Sequence, residues 1–167
     1  MKDKIFLTGA RGVGKSTCID RVLDGLTYTV GGFRTRFAES GRNVLLLTDV
    51  SGGDARVAAH FTGDGRIPVT ETFNSYGVSL LSAVPAPGLL LMDELGFLER
   101  EALAFQCAVL DAMDEDTPVL GVIRQGASGW LDTLRSHDRV QILTVTEENR
   151  DDLPEEIKKM LAASGVK

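Results

Sequence analysis

The chain has 167 residues, 43% hydrophobic and 25% charged, a size and balance that suit one compact domain over residues 1–167 with no separate substrate domain. Its net charge of −6 argues against a nucleic-acid partner or an anionic-membrane surface, since both need clustered Lys and Arg. It leaves room for a phosphate site, which needs only local amides and one or two cations.

The N-terminal Met1-Lys2-Asp3-Lys4 has no signal-peptide core, and the longest apolar run, Leu89-Leu90-Leu91-Met92, is too short to cross a bilayer, so a cytoplasmic location is expected. Ile5 to Thr8 reads as a strand buried on both faces of a parallel sheet, and it runs into a Gly-rich loop. Cys18, Ile19, Val22, Leu23 and Leu26 recur at helical spacing and predict a helix from about Lys15, stopped near Gly25. Thr27–Val30, Gly32–Ala38 and Val44–Thr48 predict strands, the latter two joined by a turn at Glu39–Asn43 as an antiparallel hairpin. Ser51–Asp54 and Thr62–Gly65 predict loops, with no clear pattern between them. A short helix over about Thr72–Ala83 precedes the Pro85-Ala86-Pro87-Gly88 break.

The second half alternates strand and helix. Leu89–Met92 ends in Asp93-Glu94. A helix over about Glu99–Met113 is expected to bury Ala102, Leu103, Phe105, Val109 and Leu110, and it is followed by a strand at Val119–Ile123. A short helix near Trp130–Leu134, a strand at Val140–Val145 and a last helix with Pro154 in its first turn complete the chain. Cys18 and Cys107 both fall in helical segments and are expected reduced and largely buried. No pair of Cys or His has metal-ligand spacing.

Gly9-Ala10-Arg11-Gly12-Val13-Gly14-Lys15-Ser16 fits the pattern Gly, four residues, Gly, Lys, Ser or Thr, placed between a strand and an amphipathic helix as a phosphate loop requires. A triphosphate needs several donors converging on one concave point, and backbone amides in a Gly-permitted loop at a helix N-terminus supply them. Lys15 places a charge on the β- and γ-phosphates, and Ser16 offers a hydroxyl to Mg²⁺. Asp93 at the next apolar strand tip suits the same Mg²⁺, and Glu94 is placed to orient or deprotonate a water that attacks the γ-phosphate. Arg124, at the following strand end with Gln125, is a candidate phosphate sensor. Arg34 and Arg36 are better read as a solvated hairpin face than as ligand contacts, and Arg11 as pointing to solvent.

Leu7–Thr17 with Val30-Gly31-Gly32-Phe33-Arg34-Thr35, Leu91-Met92-Asp93-Glu94-Leu95-Gly96, Pro118–Gly121 and Val145–Arg150 resembles, in order and across nearly the whole chain, the THEP-type nucleoside triphosphatases. The resemblance implies a three-layer α/β P-loop fold, with a RecA-like, mainly parallel sheet and an antiparallel hairpin addition. It also implies slow hydrolysis of ATP, GTP and other triphosphates, with nucleotide contacts from Gly9, Ala10, Arg11, Gly12, Val13, Gly14, Lys15, Ser16, Thr17 and the Asp93 segment. The family often carries a basic residue and Met before the Glu that corresponds to Glu99; this chain has Phe97 and Leu98.

Two other functions share such a loop. In a nucleoside or nucleotide kinase Arg34 and Arg36 would hold the acceptor, but no Arg-rich lid segment is visible. In a nucleotide-binding regulatory switch the chain would act on a partner protein; the Asn-Lys-x-Asp motif of a GTP-dependent switch is absent, which lowers that version of the reading. No feature specifies a protein partner.

Overall fold

A computed structural model describes residues 2–82, 84 and 88–165. Eight strands occur, β1 (Lys4–Thr8), β2 (Thr29–Phe37), β3 (Val44–Asp49), β4 (Ala55–Thr62), β5 (Gly65–Pro68), β6 (Gly88–Leu95), β7 (Val119–Ile123) and β8 (Val140–Thr144). The helices are α1 (Lys15–Leu23), α2 (Thr70–Thr72), α3 (Val78–Ser82), α4 (Leu103–Ala112), α5 (Trp130–Arg135) and α6 (Leu153–Ala163), with a π-helical turn at Phe73–Gly77 between α2 and α3.

The strands form one sheet in the order β5-β4-β3-β2-β6-β7-β1-β8. From β2 to β8 every pairing is parallel, while β2, β3, β4 and β5 pair antiparallel in succession. Alternation along the central strands divides the core in two. Phe6, Leu90 and Met92 face one side, with Phe33, Phe73, Phe105 and Leu131; Ile5, Leu7, Leu89 and Leu91 face the other, with Cys18, Ile19, Ile157 and Leu161. One face is therefore covered by α1 and α6, the other by the α2–α3 segment, α4 and α5, giving three layers. Phe105 is the hub of the second core, meeting Phe33 and Phe73 edge-on with ring centroids 5.6 and 5.4 Å apart.

Several expectations change. The strands expected at Thr27–Val30 and Gly32–Ala38 are one continuous β2, because Gly31 and Gly32 extend the ladder instead of breaking it. At Gly32 φ is +105°, and a Cβ there would sit 2.0 Å from the Leu91 carbonyl oxygen, so no other residue fits. The unpatterned stretch between the two loops is β4, and β5 follows it, so the antiparallel addition is larger than a hairpin. The helix expected from Glu99 begins at Leu103, since Phe97 to Glu101 form turns. Leu103, expected in the core, is 68% exposed, and Cys107 is exposed although Cys18 is buried. The helix expected over Thr72–Ala83 starts at Thr70 and contains the π turn; Ala83 and Pro85–Pro87 lie outside the described residues. Gly25 does follow the end of α1 with φ +82°, and Pro154 lies in the first turn of α6.

Candidate functional site

The C-terminal ends of β1, β6 and β7 converge because β7 sits between the other two. Beyond β1 the chain turns through Gly9 to Gly14 into α1. Gly9 has φ +143°, and a Cβ on it would lie 2.7 Å from the Val145 carbonyl oxygen. That close approach sets the loop against the segment that follows β8. No side chain caps the N-terminus of α1, so its first-turn amides are left free to meet an anion. Lys15 folds back over the loop, its Nζ donating to the carbonyl oxygens of Gly9 at 2.7 Å and Ala10 at 3.1 Å. The segment after β8 braces the loop from behind, where Arg150 donates to the Val13 carbonyl at 3.3 Å.

The acid tip is the end of β6. Pairing with β7 runs Asp93↔Val122 and then Leu95↔Ile123, so Glu94 is an extra residue at a bulge, and both acids face one cavity instead of opposite sides of the sheet. The Asp93–Glu94 peptide is cis. Asp93 is 8% exposed. Burial pushes its carboxyl up, opposed mainly by the Arg34 guanidinium. Glu94 is raised by burial first and by Asp93 second, while Lys15, Arg124 and Arg11 draw it down. A carboxylate raised in this way is a better proton acceptor than a solvated one.

One cavity of about 900 Å³ joins these parts. Its lining includes Gly9, Arg11, Gly12, Gly14, Lys15, Ser16 and Thr17 from the loop and helix start, Asp93 and Glu94 from β6, and Arg124 and Gln125 beyond β7. Of the predicted loop residues, Ala10 and Val13 do not line it: Val13 packs on the α1 side of the core, and Ala10 presents its carbonyl to Lys15. Arg11 is exposed and lines the cavity. Arg124 lies over the Phe97 ring, 5.2 Å from its centroid. The two donors expected for Mg²⁺, the Ser16 hydroxyl and the Asp93 carboxylate, are hard oxygens of residues that line one cavity. That set fits an ion that uses one or two protein oxygens and takes the rest from water and phosphate.

The expected solvated face at Arg34 is not what forms. Parallel register sets Arg34 opposite Asp93, and its Nε donates to Asp93 Oδ2 at 3.0 Å while Nη1 meets Asp20 Oδ1 on α1 at 2.6 Å. Burial works against the guanidinium's charge, but Asp20 and Asp93 outweigh it and hold its pKa up. Arg36, two residues on, is exposed and lines the cavity. Glu99 was also missed. It is 2% exposed, accepts a hydrogen bond from the Gly96 N–H, and so fixes the turn that follows the acid tip. A reciprocal acid three residues past a turn was visible in the sequence; the pairing of Arg34 with Asp93 depends on strand order and was not.

Comparisons decide the family. The NTPase family profile matches residues 4–158. The nucleoside-triphosphatase THEP1 of Thermofilum pendens is 33% identical over 95% of this chain and 94% of its own length. That of Methanosarcina acetivorans is 30% identical over 92% and 94%.

The chain belongs to the THEP1-type nucleoside triphosphatases.

Two solved structures share the fold. The crystal structure of THEP1 from Aquifex aeolicus superposes with a TM-score of 0.80 at 22% identity, covering 95% of this chain and 98% of that one. The solution structure of a human cancer-related nucleoside triphosphatase gives 0.79 at 23% identity, covering 96% and 98%. The chain is thus an NTPase enzyme on a three-layer α/β P-loop fold, and among the described residues no helix is long and apolar enough to cross a membrane.

Proposed function

We propose that this NTPase binds a nucleoside triphosphate, ATP or GTP among others, with Mg²⁺ in the cavity between the loop and the acid tip, and hydrolyses it to diphosphate and phosphate. The observation that carries this is the meeting of an uncapped α1 N-terminus, Lys15, the buried Asp93 and the half-buried Glu94 in one cavity. The loop amides and Lys15 hold the β- and γ-phosphates. Ser16 and Asp93 would hold Mg²⁺, which when bound offsets the charge that builds on the phosphate oxygens. Glu94 accepts a proton from a water in line with the γ-phosphorus; the water oxygen bonds to phosphorus as the β–γ bridging bond breaks, and the diphosphate leaves with the bond's electrons. Arg124, which lines the same cavity, would stabilise the departing charge.

Glu94→Gln is expected to bind a triphosphate normally and to turn it over about 10²-fold more slowly. Lys15→Ala is expected to lose binding itself. Phosphate release and nucleotide titration on both variants separate the two roles; unchanged turnover in Glu94→Gln removes the proton acceptor, and a normal titration for Lys15→Ala removes the phosphate site.

A further inference from the structure

The turn that follows the acid tip carries an exposed aromatic ring. Phe97 is 39% exposed, lines the cavity, and stands where the family often has a basic residue, so no cation belongs to this position itself. Two guanidinium groups come to it instead, Arg124 from the end of β7 at 5.2 Å from the ring centroid and Arg66 from β5 at 5.3 Å. Both lie within the range at which a cation gains from an aromatic ring.

Arg124 is held at its root, its stem and its head. Its backbone N–H donates to the Leu95 carbonyl at 2.8 Å, which carries the β6–β7 ladder one residue past Ile123. Its stem lies against Gly96, where an added Cβ would come within 3.2 Å of the Arg124 Cβ and 3.4 Å of its Cδ, so a side chain there would crowd it. The Phe97 ring then takes the guanidinium. Among the described residues that guanidinium makes no hydrogen bond or ion pair, which leaves its N–H donors for a ligand in the cavity it lines. Burial raises the Glu94 carboxyl and Asp93 adds to this, while Lys15 and then Arg124 draw it down, so the guanidinium lies within the field of the proton acceptor. An arginine loose in solvent spreads over many rotamers, and a ring that favours one of them raises the share of time spent there.

We propose that Phe97 is a positioning residue for hydrolysis: its ring holds the Arg124 guanidinium in the cavity, donors unpaired, ready for the charge that builds as the β–γ bond breaks. This rests on the role given to Arg124 above. Phe97 itself makes no contact with the nucleotide, so its loss lowers kcat and leaves KM in place. Tyr at this position keeps the ring face, whereas Leu keeps apolar bulk and loses the face.

The test uses the full chain with Mg²⁺ and ATP. It begins with titration of a non-hydrolysable ATP analogue into the parent and each variant, which reports folding and binding apart from turnover. Arg124→Ala is expected to lower kcat about 10²-fold. Phe97→Ala and Phe97→Leu are each expected to lower kcat about fivefold, with KM and analogue affinity kept within about twofold, and Phe97→Tyr is expected to recover most of the loss. In the Arg124→Ala background Phe97→Ala is expected to change nothing further, as a residue that acts through the arginine must. Arg66→Ala removes the other cation from the ring, an exposed and screened charge, and is expected to keep kcat within about twofold. Failure of the parent to bind the analogue overturns the binding mode itself, and parent-rate turnover in Arg124→Ala overturns the role of Arg124; either takes the proposal with it. Slow Arg124→Ala beside parent-rate Phe97→Ala or Phe97→Leu overturns the positioning role alone. So does an equal loss from Phe97→Ala in both backgrounds, or loss of analogue binding in Phe97→Ala. A loss in Arg66→Ala as large as that in Phe97→Ala also overturns it, since net charge, and not the placement of Arg124, would then be the cause.

Discussion

Glu99 shows how one side chain ties the site to pH. Burial lifts its carboxyl from the ordinary 4.5 to about 7, partly offset by the Gly96 N–H it accepts. The folded protein therefore holds a proton that the unfolded chain releases above 4.5. Between those values the native state binds more protons, so stability is full below pH 4.5 and falls as pH rises toward 7, by roughly 3 kcal/mol in all. Glu99→Gln keeps an acceptor for Gly96 and cannot ionise. Its melting temperature is expected to match the parent at pH 4 and exceed it at pH 8; parallel curves across that range would contradict the buried proton. Arg34 acts in the opposite sense on Asp93, holding its pKa below what burial alone dictates. Arg34→Ala is expected to move the acid limb of the kcat/KM profile to higher pH, because Asp93 then needs a higher pH to ionise. A profile whose acid limb does not move would show that the ion pair does not act on the ionisation that limits activity.

At the scale of elements, the parallel half was legible because its signals are local. A short apolar strand, the loop pattern, helical spacing from Cys18 to Val22 and an acid pair after Leu89–Met92 each point to one element, and the family blocks fix their order. The antiparallel half was not. β5 is exposed along its length, and β4 buries only Ala58 and Ala59, so neither shows the alternation that marks a half-buried strand. Leu103 and Cys107, one helical turn apart, lie on the exposed side of α4 although their residue types suggested burial; the buried face carries Phe105, Gln106 and Val109. The pair Gly31-Gly32 looked like punctuation between strands, yet it lies inside β2, where a side chain at Gly32 would run into the Leu91 backbone of β6. Gly32→Ala is accordingly expected to cost at least about 2 kcal/mol in urea denaturation, since the new Cβ must displace the Leu91 backbone at the root of the acid tip. A change within 0.5 kcal/mol would mean the two strands can part at little cost.

Across the whole molecule, the site joins the start of a helix to the tip of a central strand. α1 carries Lys15 and Ser16 and shares one core with Leu89 and Leu91 of β6, the strand that ends in Asp93 and Glu94. A triphosphate that spans loop and acid tip therefore adds a polar link, at the mouth of the cavity, between elements already packed through that core. Such a ligand binds the folded chain alone and stabilises it by about 2.7 kcal/mol at a hundred times its Kd, which for a domain of this size raises Tm by roughly 5–10 °C. Among the described residues the hydrogen bonds of Lys15 Nζ go to the Gly9 and Ala10 carbonyls, so Lys15→Ala is expected to leave the ligand-free Tm within about 2 °C of the parent and to abolish the shift. A melting scan over rising Mg²⁺–triphosphate concentration measures both. The same shift in Lys15→Ala as in the parent would place the nucleotide elsewhere on the protein, and the cavity would lose its claim to the reaction.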